Sequence, residues 1–423
     1  MNILVVGGGG REHALIKKIK ENPRVETVYA LPGNGGIAAI ATCVPIGAKD
    51  IEAIAAFAKD HAVDYAVVAQ DDPLVLGAVD ALNAVGISCF GPTADAAMIE
   101  GSKVFAKDLM SEYGIPTAAY RAFSDAEEAK AYVDTLGLPV VIKADGLAAG
   151  KGVLIAQTRQ EAHDAIHSIM EEKVFGESGS RVVVEEFLEG PEVSVLAFTD
   201  GNVLIPMVSS MDHKKIGEGE TGLNTGGMGA IAPNPFYTKD IAKRCMDEIF
   251  LPTMRAMNEK GRTFRGCLYF GLMLTARGPR VIEYNCRFGD PETQAVLPLL
   301  QSDLLDIMLH TTNGTLADAD VRFSSDCACC VIMASSGYPG AYETGFEIHI
   351  PGDLPVQVYA AGVQRRGETL VTAGGRVLGV TAVASSLSQA IDKAYEAAGR
   401  IQFQNAYYRK DIGKRALAEG GAQ

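Results

Sequence analysis

The sequence predicts a multidomain protein of α/β and α+β class. In residues 1–100, short apolar segments alternate with helical ones, a pattern typical of a parallel sheet covered by helices. In the middle of the chain, two apolar runs flank a turn rich in glycine and lysine, which indicates a β-hairpin. Beyond about residue 325, short strand candidates alternate with Gly/Pro turns and precede one helix, which indicates a small α+β domain. Since 423 residues suit about three domains, we expect them at 1–101, 102–325 and 326–423.

Residues 1–100 predict an anion site at one edge of a parallel sheet. We expect strands near 3–6, 27–31, 65–69 and 87–90, and helices near 11–21, 50–59 and 74–85. Four glycines, 7–10, follow the first strand and supply part of the dinucleotide fingerprint, but Glu12 occupies its third glycine position. The second strand also lacks an acid for a ribose, which argues against a nicotinamide-dependent oxidoreductase. A glycine loop before a helix still favours a substrate phosphate.

The composition excludes several classes of partner. The net charge of −14 argues against a broad nucleic-acid surface, and no apolar run is long enough to span a membrane. The N-terminus has no basic segment before its apolar run and is interpreted as a first strand. The eight cysteines are scattered, so we expect reduced thiols and a cytoplasmic location.

The turn between the apolar runs of residues 139–153 is a candidate phosphate site. Glycines without side chains let backbone N–H groups approach an anion, and two lysines add point charges. The residues concerned are Lys143, Gly146, Gly150, Lys151 and Gly152. Judged from this turn alone, the alternative to a phosphate site is a mobile surface hairpin with solvated lysines.

Two further segments carry candidate ligands for a nucleotide. Lys103 follows the N-cap candidate Ser102, at a helix end where a cation needs a compensating anion. A strand runs into Glu185 and Glu186, and Glu192 follows, so backbone groups of 185–188 suit a base edge and Glu192 a ribose. Acids at a strand end are otherwise ordinary edge charges.

Residues 211–229 and 280–292 complete the candidate site. The first segment holds six glycines together with Asp212 and Lys214, and we expect an irregular loop that closes over a site. In the second, Glu283, Asn285 and Arg287 alternate, so we expect them on one strand face. An acid and an amide oxygen suit Mg²⁺, and the guanidinium suits phosphate or carboxylate.

The chain resembles the ATP-grasp superfamily and, within it, the glycinamide ribonucleotide synthetase family. The resemblance rests on eight motifs in the family's order. They are Gly-Gly-Arg-Glu-His-Ala at 9–14, Pro-Gly-Asn at 32–34, Glu-Gly-Ser-Lys at 100–103, Ile-Lys-Ala-Asp-Gly-Leu-Ala-Ala-Gly-Lys-Gly-Val at 142–153, Glu-Glu-Phe-Leu-x-Gly-x-Glu at 185–192, Asn-Thr-Gly-Gly-Met-Gly at 224–229, Asn-Cys-Arg-Phe-Gly-Asp-Pro-Glu-Thr-Gln at 285–294 and Tyr-Arg-x-Asp-Ile-Gly at 408–413.

The resemblance implies ATP-dependent ligation of glycine to 5-phosphoribosylamine through a glycyl phosphate, in purine synthesis. It implies that 102–325 is the ATP-grasp domain, with a lid at about 119–192, and that the C-terminal domain resembles a barrel-sandwich. The implied catalytic residues are Arg287, Lys143 and Asp212. The residues implied to bind ATP are Lys103, Lys143, Gly146, Gly150, Lys151, Gly152, Glu185, Glu186, Phe187, Leu188 and Glu192. The residues implied to bind the substrates are Gly9, Gly10, Arg11, Glu12, His13, Gly33, Asn34, Asp212, Lys214, Asn224, Thr225, Gly226 and Asp290.

The resemblance also implies Mg²⁺ or Mn²⁺, held by Glu283 and Asn285, with Asp290 or Glu292 as ligands of any second ion. It implies a monomer with no nucleic-acid or membrane partner. Another ATP-grasp ligase or a carboxylase is the nearest alternative function.

Overall fold

The computed structural model describes residues 1–148 and 152–420. Its N-terminal part is a five-stranded parallel sheet, which confirms the predicted α/β domain. Across the sheet, the strands are Thr42–Cys43, Thr27–Pro32, Asn2–Gly7, Tyr65–Val68 and Ser88–Phe90. The helices of this part are Gly10–Ile19, Ile51–Asp60, Asp71–Val75, Ala78–Ala84 and Ala94–Gly101, with a 3₁₀ turn at Ile37–Ala39.

Two predictions for this part need correction. The helix expected at 74–85 is two helices, Asp71–Val75 and Ala78–Ala84, because Gly77 adopts φ +86° between them. This left-handed conformation suits glycine and interrupts the helical backbone. The strand Thr42–Cys43 was not predicted, since it is only two residues long.

The middle of the chain forms two antiparallel sheets. The first, which we call the lid sheet after the lid expected at about 119–192, has the strand order Tyr120–Phe123, Val182–Glu186, Val140–Ala144 and Val153–Ala156. The strands of the predicted hairpin pair with each other, as expected. The second sheet has the order Leu204–Pro206, Glu192–Thr199, Gly266–Thr275 and Gly278–Asn285. Helices of this region are Lys103–Glu112, Ala126–Val133, Arg159–Ile166, Lys239–Cys245, Leu251–Glu259, Glu292–Val296 and Leu304–Asn313. Two π-helical turns, His167–Glu171 and Met246–Phe250, continue the helices before them, and 3₁₀ turns lie at Gly176–Gly179, Leu297–Leu299 and Leu316–Asp318.

A third antiparallel sheet lies in the C-terminal part. Its strands are Met211–Asp212, Gly229–Ala232, Cys327–Ser335, Arg376–Ala384 and Gln357–Ala360, and Ala406–Tyr407 also pairs with Cys327–Ser335. Val363–Arg366 and Thr369–Thr372 form a separate hairpin, and the helices are Leu387–Arg400 and Lys414–Gly420. Residues 347–350, one of the strand candidates beyond residue 325, make only isolated bridges. The strands Met211–Asp212 and Gly229–Ala232 come from the middle of the chain, yet they belong to the sheet of the C-terminal part.

The glycine-rich segment 211–229 is a β-hairpin, not the irregular loop expected from its composition. Met211 pairs with Ile231, and the chain continues through Lys215–Gly217 and Thr221–Asn224, which pair with each other. We call residues 211–232 the glycine hairpin. Its glycines permit positive φ values, for example +65° at Gly219 and +80° at Gly222, at its tip.

The lid sheet is covered on one side by helices. Val140, Ile142 and Ala144 point into the apolar core under Ala126–Val133 and Arg159–Ile166. Because side chains alternate along a strand, Lys143 points to the opposite side. No helix in the described parts of the chain combines the length and apolar character needed to cross a membrane. All eight cysteines are free thiols, as expected.

Candidate active site

Lys143 spans the space between the lid sheet and the second sheet. Its Nζ lies 3.0 Å from Glu185 Oε1 in the lid sheet and donates to the Ile282 carbonyl oxygen at 3.1 Å in the second sheet. The side chain of Lys143 is buried, with 5 % of its surface exposed. Lys143, the lysine predicted to bind phosphate, is therefore a fixed cation between two sheets. The alternative of a solvated lysine on a surface hairpin is wrong at this position.

Glu185 has a second buried partner that the sequence did not reveal. Lys107 Nζ lies 2.9 Å from Glu185 Oε2 and donates to Thr117 Oγ1 at 2.8 Å. Burial lowers the pKa of the Lys107 ammonium to about 8, although Glu185 opposes the shift. Lys107 stands four residues after Lys103 on the same helix face, and that spacing was the signal available in the sequence.

Lys103 lies at the start of its helix, with Ser102 as the N-cap, as predicted. Its Nζ donates to the Gly146 carbonyl oxygen at 2.9 Å. Asp145 Oδ1 accepts from Val104 N and Ser102 Oγ, both at 2.9 Å, so a protein carboxylate already compensates this helix end. The position of Lys103 at the helix end is thus explained without a ligand.

The described part of the turn is held close to a neighbouring segment. A Cβ at Gly146 would stand 2.5 Å from Ser178 Oγ, and one at Gly152 would stand 2.6 Å from the Ala148 Cβ. Both positions therefore require glycine. The predicted residues Gly150 and Lys151 lie outside the described residues.

Glu283 is surrounded by cations. Lys214 Nζ lies 3.3 Å from Glu283 Oε1 and 3.3 Å from Glu192 Oε2. Burial would raise the pKa of the Glu283 carboxyl, but Lys214, Lys143 and Lys103 outweigh it and lower the pKa to about 2. Glu283 is therefore ionised at any physiological pH. The lysines come from three separate elements, which is the arrangement expected around a polyanionic ligand.

Asn285 ends the same strand, Gly278–Asn285, and is half-buried like Glu283. Tyr284 between them points into the apolar core, so the predicted alternation holds for these two residues. Arg287 lies two residues beyond the end of the strand, so the strand is shorter than the prediction required.

Arg287 is held by acids from the N-terminal part. Its Nη2 lies 3.0 Å from Glu100 Oε1 and 3.8 Å from Asp71 Oδ2. Glu100 also accepts from Cys286 N at 2.7 Å. Burial alone would lower the pKa of Arg287, but Glu100 and Asp71 raise it above its ordinary range. Arg287 Nε is buried without a hydrogen-bond partner among the described atoms, so one donor of the guanidinium is left unpaired.

Two side chains at the start of the helix Gly10–Ile19 make contacts beside the first glycine loop, which comprises residues 7–10. Glu12 Oε2 accepts from Gly9 N at 2.6 Å, and Oε1 lies 2.6 Å from Arg11 Nε. Glu12 thus caps its own helix, which explains an acid where a dinucleotide fingerprint has glycine. Arg11 donates to the Phe288 carbonyl oxygen at 3.0 Å, and Gly10 is buried.

His13 and Asn34 join the N-terminal part to the C-terminal sheet. His13 Nδ1 accepts from Ala360 N at 2.8 Å, and burial lowers the pKa of His13 to about 4. Asn34 Nδ2 donates to Gly8 O at 2.9 Å and Ala360 O at 2.8 Å. Gly33 has φ +68° and no room for a Cβ beside Cys43. The side chains of His13 and Asn34 are thus held by hydrogen bonds within the protein.

An open cavity of about 450 Å³ lies between the first glycine loop, the 32–35 loop and the C-terminal part. Its lining residues are Gly8, Pro32, Gly33, Asn34, Gly35, Ala38, Cys43, Ala361, Gly362, Val363, Gln364 and Ala373. The C-terminal lining could not be anticipated from sequence.

The glycine hairpin contributes a half-buried acid, Asp212. Burial and the nearby Glu292 raise the pKa of Asp212 well above its ordinary value, and Asp212 Oδ1 has no partner among the described atoms. Thr225 Oγ1 donates to the Lys214 carbonyl oxygen at 2.8 Å, and Asn224 pairs with Lys215.

Arg376 of the C-terminal sheet connects several predicted residues. It donates to the Gly226 carbonyl oxygen at 2.7 Å and lies 3.3 Å from Asp290 Oδ2. Asp290 Oδ1 accepts from Gln294 at 2.7 Å, so both of its oxygens are engaged. Burial would raise the pKa of Asp290, but Arg376 and Arg11 lower it.

The segment expected to contact a base, 185–188, begins in the lid sheet and continues past the end of its strand Val182–Glu186. Leu188 is buried, and Glu186 Oε1 accepts from Ala119 N at 3.0 Å. Glu186 and Phe187 also line a cavity of about 380 Å³ next to residues 136–140. Glu192 is half exposed and faces Lys214.

Glu283 and Asn285 offer hard oxygen atoms that suit Mg²⁺. Within residues 1–148 and 152–420, no cluster of three or more His, Cys, Asp or Glu side chains is arranged to hold a metal ion. A cation held here would therefore need further oxygen ligands from phosphate and water.

Two facing antiparallel sheets, with lysines and acids between them, define the protein as an ATP-grasp protein. Models of phosphoribosylglycinamide synthetase match it along its length: the N domain at residues 1–100, the ATP-grasp (A) domain at 101–293 and the C domain at 328–415. The phosphoribosylamine–glycine ligase of Vibrio cholerae is 46% identical over 432 residues, covering 100% of both chains. The chain belongs to the phosphoribosylglycinamide synthetase family.

Solved structures agree with this assignment. The crystal structure of phosphoribosylamine–glycine ligase from Thermotoga maritima has a TM-score of 0.86 at 32% identity, covering 97% of this chain and 100% of that chain. A biotin carboxylase from Campylobacter jejuni has a TM-score of 0.76 at 16% identity, covering 99% and 95%. The second likeness shows the fold alone.

Proposed function

We propose that this protein joins glycine to 5-phosphoribosylamine with ATP, giving glycinamide ribonucleotide, ADP and phosphate. The observation that carries the proposal is the set of lysines, Lys103, Lys143 and Lys214, converging on Glu283 between two sheets. That arrangement suits a triphosphate and its cation. Family membership supports the choice of glycine and phosphoribosylamine as substrates.

The reaction has two bond-making steps. First, a carboxylate oxygen of glycine attacks the γ-phosphorus of ATP, the bond to the β-phosphate oxygen breaks, and ADP leaves. The amine nitrogen of phosphoribosylamine then attacks the acyl carbon, the carbon–oxygen bond to phosphate breaks, and the amine loses a proton. Both steps depend chiefly on positioning and on neutralising negative charge.

The lysines and Arg287 supply that charge. Lys143 is fixed between the sheets and Lys103 is anchored at the Gly146 carbonyl, so both are assigned to ATP phosphates. Arg287 is oriented by Glu100 and keeps a free Nε donor, which suits the glycine carboxylate or the transferred phosphoryl group. Asp212, half-buried and with Oδ1 unpaired among the described atoms, is assigned to the amine substrate.

The remaining assignments rest on membership of the family. The turn at 145–152, of which only part lies within the described residues, is assigned to excluding water from the acyl phosphate. The 185–188 backbone is assigned to adenine and Glu192 to ribose. The cavity at Gly33 and Asn34 takes phosphoribosylamine. Contacts within the protein already occupy the side chains of Arg11, Glu12, His13 and Asn34. We therefore assign the binding of phosphoribosylamine by these residues mainly to their backbone groups.

Glu283 and Asn285 would hold Mg²⁺ or Mn²⁺, which when bound neutralises phosphate charge. Asp290 is a weaker candidate for a second ion because Arg376 and Gln294 occupy its oxygens. We also propose a monomer in the cytoplasm.

Phosphate release from ATP tests the proposal. Glycine, phosphoribosylamine generated from ribose 5-phosphate and ammonia, both, or neither are supplied to the protein. We expect release only with both, with one glycinamide ribonucleotide formed per phosphate. A carboxylase, the second candidate because its fold is shared, would release phosphate with bicarbonate in place of glycine.

A further inference from the structure

The closing segment, residues 407–413, lies along the glycine hairpin, although no role follows for it from the proposed chemistry. Arg409 is its centre. Arg409 Nη1 donates to the Lys215 carbonyl oxygen at 3.0 Å, and Nη2 donates to Glu220 Oε1 at 2.6 Å. Arg409 Nε and Nη2 also donate to the Asp411 carboxylate, each at 2.8 Å.

Arg409 is buried completely, with 1 % of its surface exposed. A guanidinium in that setting destabilises a protein unless its donors are paired, and here they meet two carboxylates and one carbonyl oxygen. The site is therefore built for this side chain. A surface contact made by chance would leave the arginine exposed.

Further contacts of the same segment reach the hairpin at other points. Tyr407 OH donates to the Ile216 carbonyl oxygen at 2.7 Å, and Gly219 N donates to Asp411 Oδ2 at 2.8 Å. Gly413 N donates to His213 Nε2 at 3.1 Å. Together Tyr407, Arg409, Asp411 and Gly413, which we call the clamp, hold the hairpin from His213 to its tip.

Lys214 stands between two clamped neighbours. The clamp contacts His213 and the backbone of Lys215, while the Lys214 side chain extends to Glu192 and Glu283. A shift of the hairpin would move Lys214 Nζ away from both acids. The two acids belong to the second sheet, which the clamp does not contact through these hydrogen bonds.

We propose that Arg409 is a positioning residue of the ligase reaction, acting by fixing the glycine hairpin so that Lys214 lies between Glu192 and Glu283. The inference rests on the proposed function. It gives the Tyr-Arg-x-Asp-Ile-Gly motif at 408–413 a task at a site that it does not touch.

Three variants weaken the clamp by different amounts. Arg409→Lys keeps the charge and loses the planar fork, Glu220→Gln removes one exposed acid, and Tyr407→Phe removes one hydroxyl. Arg400→Gln is the matched control, because Arg400 pairs with Asp353 on the surface of the same C-terminal part. Each protein is assayed for kcat and for the KM of all three substrates, and its amide hydrogen exchange over 213–224 is measured by mass spectrometry.

We expect faster exchange over 213–224 in the clamp variants, and a kcat that falls about 10- to 100-fold in Arg409→Lys, as for other displaced catalytic groups. Smaller losses follow in Tyr407→Phe and Glu220→Gln, and KM for ATP changes less than kcat because Lys103 and Lys143 lie on other elements. Arg400→Gln keeps wild-type values. A purely structural clamp would lower stability without changing kcat of the folded protein.

Wild-type exchange in the clamp variants, or faster exchange with wild-type kcat, overturns the inference. If Arg409→Lys does not fold, Tyr407→Phe and Glu220→Gln decide it by the same two readouts. A wild-type protein that releases no phosphate with glycine and phosphoribosylamine defeats the proposed function instead, so the two failures are distinct.

Discussion

Lys214 and Glu283 form an ion pair, with Nζ 3.3 Å from Oε1, that connects the glycine hairpin to the strand Gly278–Asn285. The same ammonium lies 3.3 Å from Glu192. The acid assigned to the metal and the acid assigned to ribose are thus held by one cation from a third segment. This ion pair connects the hairpin, which residues 407–413 of the C-terminal part contact, to the acids assigned to ATP and its metal ion.

Lys214→Met tests the importance of that cation. We expect kcat/KM to fall about 100-fold or more, since removing one preorganised charge from an active site has this magnitude. Nucleotide-dependent phosphate release is the measurement. Lys260→Met, which removes a surface lysine paired with Glu112, serves as the control and retains activity. Comparable activities of the two variants would remove Lys214 from the site.

The buried pair of Lys107 and Glu185 predicts a non-additive effect on stability. Lys107→Met leaves Glu185 with Lys143 alone, and we expect a loss of about 3 kcal/mol in the free energy of unfolding. The double variant Lys107→Met/Glu185→Gln has no uncompensated acid, so we expect it to recover part of that loss. Urea unfolding of the four proteins in the cycle measures the coupling. Additive losses would contradict a coupled pair.

His13 predicts a loss of stability in acid. Its pKa is about 4 in the folded protein against an ordinary 6.5, so the unfolded chain binds more protons between these values. Stability from this group is therefore complete above pH 6.5 and is lost as pH falls toward 4, by on the order of 3 kcal/mol. Comparing unfolding of wild type and His13→Gln from pH 7 to 4 isolates the contribution. Parallel pH profiles would refute it.

A metal requirement is expected at Glu283 and Asn285. Chelation should abolish phosphate release, and added Mg²⁺ should restore it. Glu283→Gln keeps the shape and removes the charge, so we expect half-maximal activity to need about 10- to 100-fold more Mg²⁺. Glu248→Gln, on an exposed helix face, controls for loss of a surface acid. An unchanged Mg²⁺ requirement in Glu283→Gln would exclude this carboxylate as a ligand.

Much of the candidate site is local in sequence and could be predicted. Lys143, Glu283 and Asn285 stand at strand ends or on alternating positions of a strand, where period and composition alone indicate direction. Lys103 and Ser102 were recognisable from the start of a helix. These residues depend on local geometry, which one chain segment specifies.

The missing parts depend on contacts between distant segments. Lys107 and Glu100 look like ordinary helix charges until Glu185 and Arg287 pair with them in the interior. The glycine hairpin was interpreted as a loop because its strands are short and the side chains that bond to its backbone lie at 407–413. The residue pattern within one segment does not reveal a contact with a segment far away in the sequence.

The most direct measurement of the proposed ligation follows oxygen from glycine. Glycine labelled with ¹⁸O in its carboxylate is supplied with ATP and phosphoribosylamine, and the inorganic phosphate is analysed by mass spectrometry. If the carboxylate is phosphorylated and the amine displaces phosphate, each phosphate carries one labelled oxygen and each product amide retains the other. Unlabelled phosphate, or labelled phosphate without glycinamide ribonucleotide, would contradict the account.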